Sequence, residues 1–290
     1  MNKLILSEVS NSVLMIKSSA IPEVEMLLNA KKKEDIDQQK INIAVSGAAL
    51  ASDIEENPFK DFAPGTVLIL PIIGVMFKYS DWWSYGIDYI ADLLRQADSA
   101  ENVAGTILLM NTPGGSTQSL IRIEEALRLR TKPCVAVVDG MCCSCGVYVA
   151  SFADKIVATN RMCEIGSIGC YMRLRDDSKA LEQYGYKFID VYPPESSYKN
   201  KGVREALDDK PQWLIDETLS PFAQHFQNII RQNRPNLDEK VEGIIEGRDF
   251  YAYDAKANGL IDDIITLDAA VELVVSLSED RKKLSTLFTN

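Results

Sequence analysis

The chain has 290 residues, a formal net charge of −11 and an apolar content of 46%, which is ordinary for a globular protein. That length and balance argue against disordered and fibrous classes, and the acidic excess argues against broad nucleic-acid binding, which needs a basic face. No apolar run reaches the roughly 18 residues of a membrane span.

The first residues begin like a leader peptide, but Glu8, Asn11 and Lys17 interrupt the pattern. A soluble protein that stays in the cytoplasm is expected. Residues 1–62 read as an N-terminal extension, with helical stretches at 21–30 and 43–54 around a charged segment. In that segment Lys31, Lys32 and Lys33 are followed by acidic residues, as on a solvated face. Residues 63–280 form the main domain, and 281–290 a tail.

From Thr66 buried strands alternate with amphipathic helices. Thr66–Ile73 is a continuous apolar strand, and 84–97 has helical spacing with Ser84 as a cap. Residues 106–110 form a second buried strand, 117–130 a helix, and 133–138 a third strand that turns at Asp139-Gly140 into a short apolar helix headed by Ser144. Short strands follow at 155–158 and 163–165, then a helix at 178–184 ended by Gly185 and a strand at 187–191. Residues 192–206 read as an irregular loop. A long helix at 212–232, helical turns at 238–245 and from Asp254, a strand at 259–264 and a helix at 268–278 complete the chain. The alternation predicts an α/β fold with right-handed crossovers.

All six cysteines fall within 134–170, and the one histidine is His225. Cys142, Cys143 and Cys145 crowd one corner and are poorly spaced for disulfides or zinc, so reduced thiols packed as small apolar residues are expected. No metal or other cofactor is called for.

Two turns carry chemistry. A serine where a buried strand enters a helix is held rigidly, with unpaired N–H groups behind it to stabilise an oxyanion, which makes Ser144 a candidate nucleophile. The same pattern also suits a tight connection packed with small residues. Gly114-Gly115, at the end of another buried strand, lets backbone N–H groups approach developing negative charge. A serine nucleophile needs a base. His225 lies inside an apolar-spaced helix, away from both turns, which leaves Lys199 and Lys201 as candidates. Cys143 and Cys145 stay open as thiol alternatives.

Residues 111–115 (NTPGG), 137–151 (VVDGMCCSCGVYVAS), 153–158 (ADKIVA), 166–169 (GSIG) and 246–264 (EGRDFYAYDAKANGLIDDI) together resemble signal peptide peptidase A and its relatives, in that family's order. The resemblance implies a Clp protease/crotonase-like ββα superhelix and a serine peptidase. By it Ser144 is the nucleophile, Lys199 (in Ser197-Tyr198-Lys199) the general base, and Ser167 the residue that positions the lysine. Gly114 and Cys145 would supply the oxyanion-hole N–H groups. Cys145 departs from the family, which has glycine there, and Pro193-Pro194 alters the lysine loop.

The cellular relatives are membrane-tethered, and this chain resembles more closely the phage relatives that process capsid or scaffold proteins. The expectation is therefore a homo-oligomeric Ser-Lys endopeptidase of prohead maturation, with no cofactor and no nucleic-acid or membrane partner. A soluble signal-peptide or oligopeptide peptidase is the alternative. From other classes come a coenzyme A-binding enolate enzyme on the same fold and an inactive assembly scaffold.

Overall fold

The computed structural model describes residues 13–17, 20, 59, 61–80 and 85–288. The helices expected at 21–30 and 43–54, the lysine run at 31–33 and the Ser84 cap lie outside the described residues. In chain order the elements are β1 (Leu14–Ile16), β2 (Thr66–Ile73), α1 (Ile87–Ser99), β3 (Val103–Thr112), β4 (Gly114–Ser116), α2 (Leu120–Leu129), β5 (Cys134–Cys143), α3 (Cys145–Ala150), β6 (Lys155–Ala158) and β7 (Glu164–Gly166). The second half holds α4 (Ser178–Gln183), α5 (Lys201–Leu207), α6 (Gln212–Leu214), α7 (Ser220–Asn233), β8 (Asp249–Tyr251), α8 (Ala252–Ala257), β9 (Asp263–Ile264) and α9 (Leu267–Phe288).

Strands β2, β3, β5, β6 and β9 lie side by side in that order, each parallel to its neighbour. Helices cover both faces, which is why these strands read as unbroken apolar runs rather than alternating ones. On one face Leu68, Leu70, Leu108 and Ala136 pack with Ile90 and Leu94 of α1 and Ile123 and Leu127 of α2. On the other, Ile107, Val135, Val137 and Val157 meet Ala270 and Val274 of α9. Lys132 closes the end of α1 by donating to the Ala97 carbonyl at 3.0 Å. No helix of the described residues is long and apolar enough to cross a membrane.

A strand–strand–helix unit recurs, as the expected superhelix requires. After β2 comes an isolated bridge at Met76 and then α1; after β3 come β4 and α2; the far half of β5 leads to α3. These second strands adjoin one another. Met76 pairs with Gly115, Thr112 with Cys142, and Cys142 with Ile165. The Gly114-Gly115 turn, Ser144 and the Gly166-Ser167 turn are thereby gathered beyond the C-terminal ends of the parallel strands.

Several boundaries differ from the sequence reading. The expected corner at Asp139-Gly140 is a bend within one strand. Gly140 takes φ 122°, and a Cβ there would stand 2.5 Å from Asn111 Oδ1. Before the bend β5 pairs with β3 and β6, and after it Met141, Cys142 and Cys143 pair with β7. The strand expected at 187–191 has no partner among the described residues, and Phe188, Ile189 and Val191 are 70%, 72% and 84% exposed. Residues 238–245 form turns rather than a helix, and of the strand expected at 259–264 only Asp263–Ile264 pairs. The loop at 192–206 contains the 3₁₀ turn Pro194–Ser196 and the start of α5. A π turn, Ile215–Leu219, joins α6 to α7 within the expected long helix. The last helix runs on to Phe288, so most of the segment assigned to a tail is helical.

Candidate active site

Ser144 stands between β5 and α3 with φ 55° and ψ −116°, a conformation costing about 1–2 kcal/mol for a residue with a side chain. Its neighbours enforce it. The Ser144 N–H donates to the Gly166 carbonyl at 2.9 Å, and the Ser144 carbonyl accepts from the Tyr148 N–H at 3.0 Å, opening α3. Ser144 Oγ donates to the Gly169 carbonyl at 3.4 Å. The residue is only 1% exposed. The strain is thus concentrated on a serine at the strand-to-helix junction.

The glycine turn comes directly against it. Gly114 has φ 98°, and a Cβ there would meet the Met15 carbonyl oxygen at 2.3 Å, Ser144 Cβ at 2.9 Å and the Cys143 carbonyl oxygen at 3.0 Å. Only glycine allows that approach. The Gly114 N–H donates to Thr112 Oγ1 at 3.1 Å, so as an oxyanion donor it would have to exchange that bond. Gly115 is locked between strands, since a Cβ there would stand 2.0 Å from the Met76 carbonyl oxygen.

The motif around Ser167 is what holds Ser144. Gly166 takes φ 137° and Ser167 φ 56°. The Ser167 N–H donates to the Arg248 carbonyl at 3.0 Å, and a Gly166 Cβ would lie 2.5 Å from that same carbonyl oxygen. β7 also pairs antiparallel with β8. The late EGRDF motif therefore braces the Gly-Ser-Ile-Gly turn, which braces Ser144.

All six cysteines are free. Cys145, the departure from the family pattern, is fully buried and points its Sγ at the Gly115 and Ser116 carbonyls (3.6 and 3.7 Å). Burial pushes its thiol well above the usual range. Burial likewise pushes Cys143 up to about 12, against the opposing pull of the nearby Lys17 ammonium. The thiolate is the reactive form, so burial works against either one as a nucleophile.

Neither candidate lysine is bonded to Ser144 among the described residues. Lys199 is exposed on the turn after Pro194–Ser196, its N–H donating to the Ser196 carbonyl at 3.0 Å. Among the described residues no hydrogen bond or ion pair joins Lys199 to Ser144 or Ser167. Lys201 pairs with Glu205 at 3.9 Å and lies over the Tyr198 and Trp213 rings, 4.8 and 5.8 Å from their centroids. His225 contacts Tyr148 Oη at 3.2 Å, and that hydroxyl donates to Glu124 at 2.6 Å. It packs behind α3, as a helix residue rather than a catalytic one.

Sequence reasoning missed one occupant of the site. β1 pairs antiparallel with β4 beside Ser144, and the Lys17 ammonium bridges Glu164 and Asp249. The three apolar residues Leu14, Met15 and Ile16 carry no signal in the sequence that could have placed them there.

Residues 126–280 match the family model described as Peptidase family S49. Protease 4 of Haemophilus influenzae is 27% identical over 223 residues, covering 76% of this chain and 36% of that protein. Capsid assembly protease C of Escherichia phage lambda is 27% identical over 234 residues, 74% of this chain and 50% of the phage protein. The chain thus spans about a third of the Protease 4 relative's length and half of the phage protein's. Among solved structures, a mutant of the 1510-N membrane-bound stomatin-specific protease aligns with a TM-score of 0.44 at 16% identity, covering 70% of this chain and 80% of that one.

Proposed function

This chain belongs to peptidase family S49, whose model matches more than half of it, and from that premise we propose that it is a serine endopeptidase working through Ser144 and Lys199. The observation that carries the reading is the strained backbone of Ser144, pinned by Gly166 and pressed against Gly114. In the proposed mechanism Ser144 Oγ attacks a peptide carbonyl while Lys199 takes its proton. The N–H of Cys145, at the open end of α3, and that of Gly114 receive the oxyanion, and water then hydrolyses the acyl-enzyme. Ser167 positions the lysine.

Lys199 is exposed and has no bond to Ser144 among the described residues, and its surroundings support a route between them. The arm before it exposes Tyr184, Tyr186, Phe188, Ile189 and Val191, and large apolar side chains exposed together mark interaction surfaces. We propose that this arm packs on a second copy and delivers Lys199 there, so that the active form is a homo-oligomer. The proposed substrate is a capsid or scaffold protein processed during prohead maturation in the host cytoplasm, which the similarity to the phage lambda protein supports.

The test is intact-mass analysis of an unfolded protein, and of purified phage capsid and scaffold proteins, incubated with wild type, Ser144→Ala and Lys199→Ala. Cleavage by wild type alone is expected. Cleavage surviving in Ser144→Ala would overturn the nucleophile, and cleavage surviving in Lys199→Ala would move the base.

A further inference from the structure

β1 lies where an extended substrate would have to lie. Leu14, Met15 and Ile16 stand opposite Ser116, Gly115 and Gly114 in an antiparallel ladder. The Lys17 N–H extends it to the Pro113 carbonyl at 2.7 Å, and Thr117 Oγ1 donates to the Val13 carbonyl at 3.2 Å. This ladder brings the Met15 carbonyl oxygen to the face of Gly114 that Ser144 also approaches. Both groups stand within 3 Å of the point a Gly114 Cβ would occupy (2.3 and 2.9 Å). Strand addition to a sheet edge is how many proteins hold extended peptides, with backbone bonds for affinity and side-chain seats for register. Here Met15 and Ile16 are 1% and 5% exposed, so the strand is seated rather than draped over the surface.

A side-chain seat is present as well. The Lys17 ammonium reaches Glu164 on β7 and Asp249 on β8. Burial alone would lower its affinity for a proton, but the two carboxylates outweigh that and hold Lys17 above its ordinary range. Both carboxylates sit on the strand pair that carries Gly166, the residue whose carbonyl fixes the Ser144 backbone. The seat and the nucleophile are therefore held by one piece of sheet.

We propose that residues 13–17 are an intramolecular occupant of the substrate cleft. β1 pairs with β4 as a substrate strand does, Lys17 latches it to Glu164 and Asp249, and an incoming chain binds only by displacing it. Three paired residues and one latch make a short ladder that a longer peptide can replace strand for strand. The word substrate rests on reading Ser144 as the nucleophile, but the occupancy itself is a statement about binding and is tested without chemistry.

The experiment uses the full chain carrying Ser144→Ala, with a fluorescein-labelled synthetic peptide of the sequence of residues 11–20, NSVLMIKSSA, as the probe in fluorescence anisotropy. Adding Lys17→Glu turns the latch into repulsion. Adding Lys17→Pro instead removes both the ammonium and the N–H that reaches Pro113. Each should open the cleft and tighten peptide binding at least tenfold. Adding Glu164→Gln and Asp249→Asn to the Lys17→Pro chain should then weaken it again, because the peptide's own lysine loses its seat. Binding no tighter in both Lys17 variants than in their parent would overturn the proposal. Failure of the nucleophile reading would show elsewhere, as cleavage surviving in Ser144→Ala, and would leave this binding comparison intact.

Discussion

Gly114 and Cys145 flank Ser144, the proposed nucleophile. At Gly114 the backbone φ of 98° and the two atoms within 3 Å of a would-be Cβ leave no space for a methyl group. Gly114→Ala should displace the turn or the groups against it by about 1 Å. A shift of that order lowers turnover about a hundredfold, with a stability loss of about 1–3 kcal/mol. Steady-state cleavage and urea unfolding of the same preparation would check both figures. Full activity in Gly114→Ala would show that the turn does not set the geometry of the nucleophile. Cys145 is the milder case. Its Sγ fills the space beneath β4, and nothing in its contacts calls for a thiol. Cys145→Gly should therefore keep cleavage while lowering stability by about 1–3 kcal/mol, from the lost packing and the poorer helix propensity of glycine. Loss of activity with unchanged stability would give the thiol a role that packing does not explain.

Between elements, the sheet is closed at its short edge by a carboxylate. Asp262 accepts from the Ile156 N–H at 2.7 Å and from Arg234 Nη1 at 2.8 Å, tying β6, β9 and the end of α7 together. Burial pushes its carboxyl up, but Arg234 and the Ile156 N–H outweigh that and hold it below the usual carboxylate range. A folded-state value below the unfolded one, about 3.9, fixes the sign. The stabilisation is fully present above the unfolded value and is lost as pH falls through the folded one. Asp262→Asn should be about 1–3 kcal/mol less stable than wild type near neutrality. That gap should narrow as acid is added below about pH 4. Urea unfolding at several pH values would show it, and a gap constant with pH would exclude the ionised carboxylate as its source.

At the scale of the whole molecule, Lys199, the proposed base, lies on an exposed arm. The arm that carries it exposes a row of large apolar side chains, and the strand expected at 187–191 finds no neighbour among the described residues. Both features are accounted for if a second copy supplies the partner surface. Mixing inactive Ser144→Ala and Lys199→Ala proteins should then recover activity. In a two-copy assembly the recovery should be about a quarter of wild type, because half the particles are mixed and each holds one intact pair. No recovery, in particles shown by native mass spectrometry to have exchanged subunits, would place the lysine and the serine in the same chain.

The local signals in the sequence were enough for the alternation of buried strands and helices, the glycine turn at Gly114 and the candidate serine. Each of these depends on a few adjacent residues, on apolar runs, helical spacing or the need for φ above zero. Resemblance across separated blocks added Ser167 to the list and chose Lys199 over Lys201. Tertiary structure decided what depends on distant partners. Asn111 turns the expected corner at Gly140 into a bend within β5. The Arg248 carbonyl gives the late EGRDF motif its task at Ser167. The pairing of Leu14, Met15 and Ile16 with a turn some 100 residues away fills the cleft. Such contacts are set by where the sheet brings the chain back upon itself, and residue spacing alone does not encode that return.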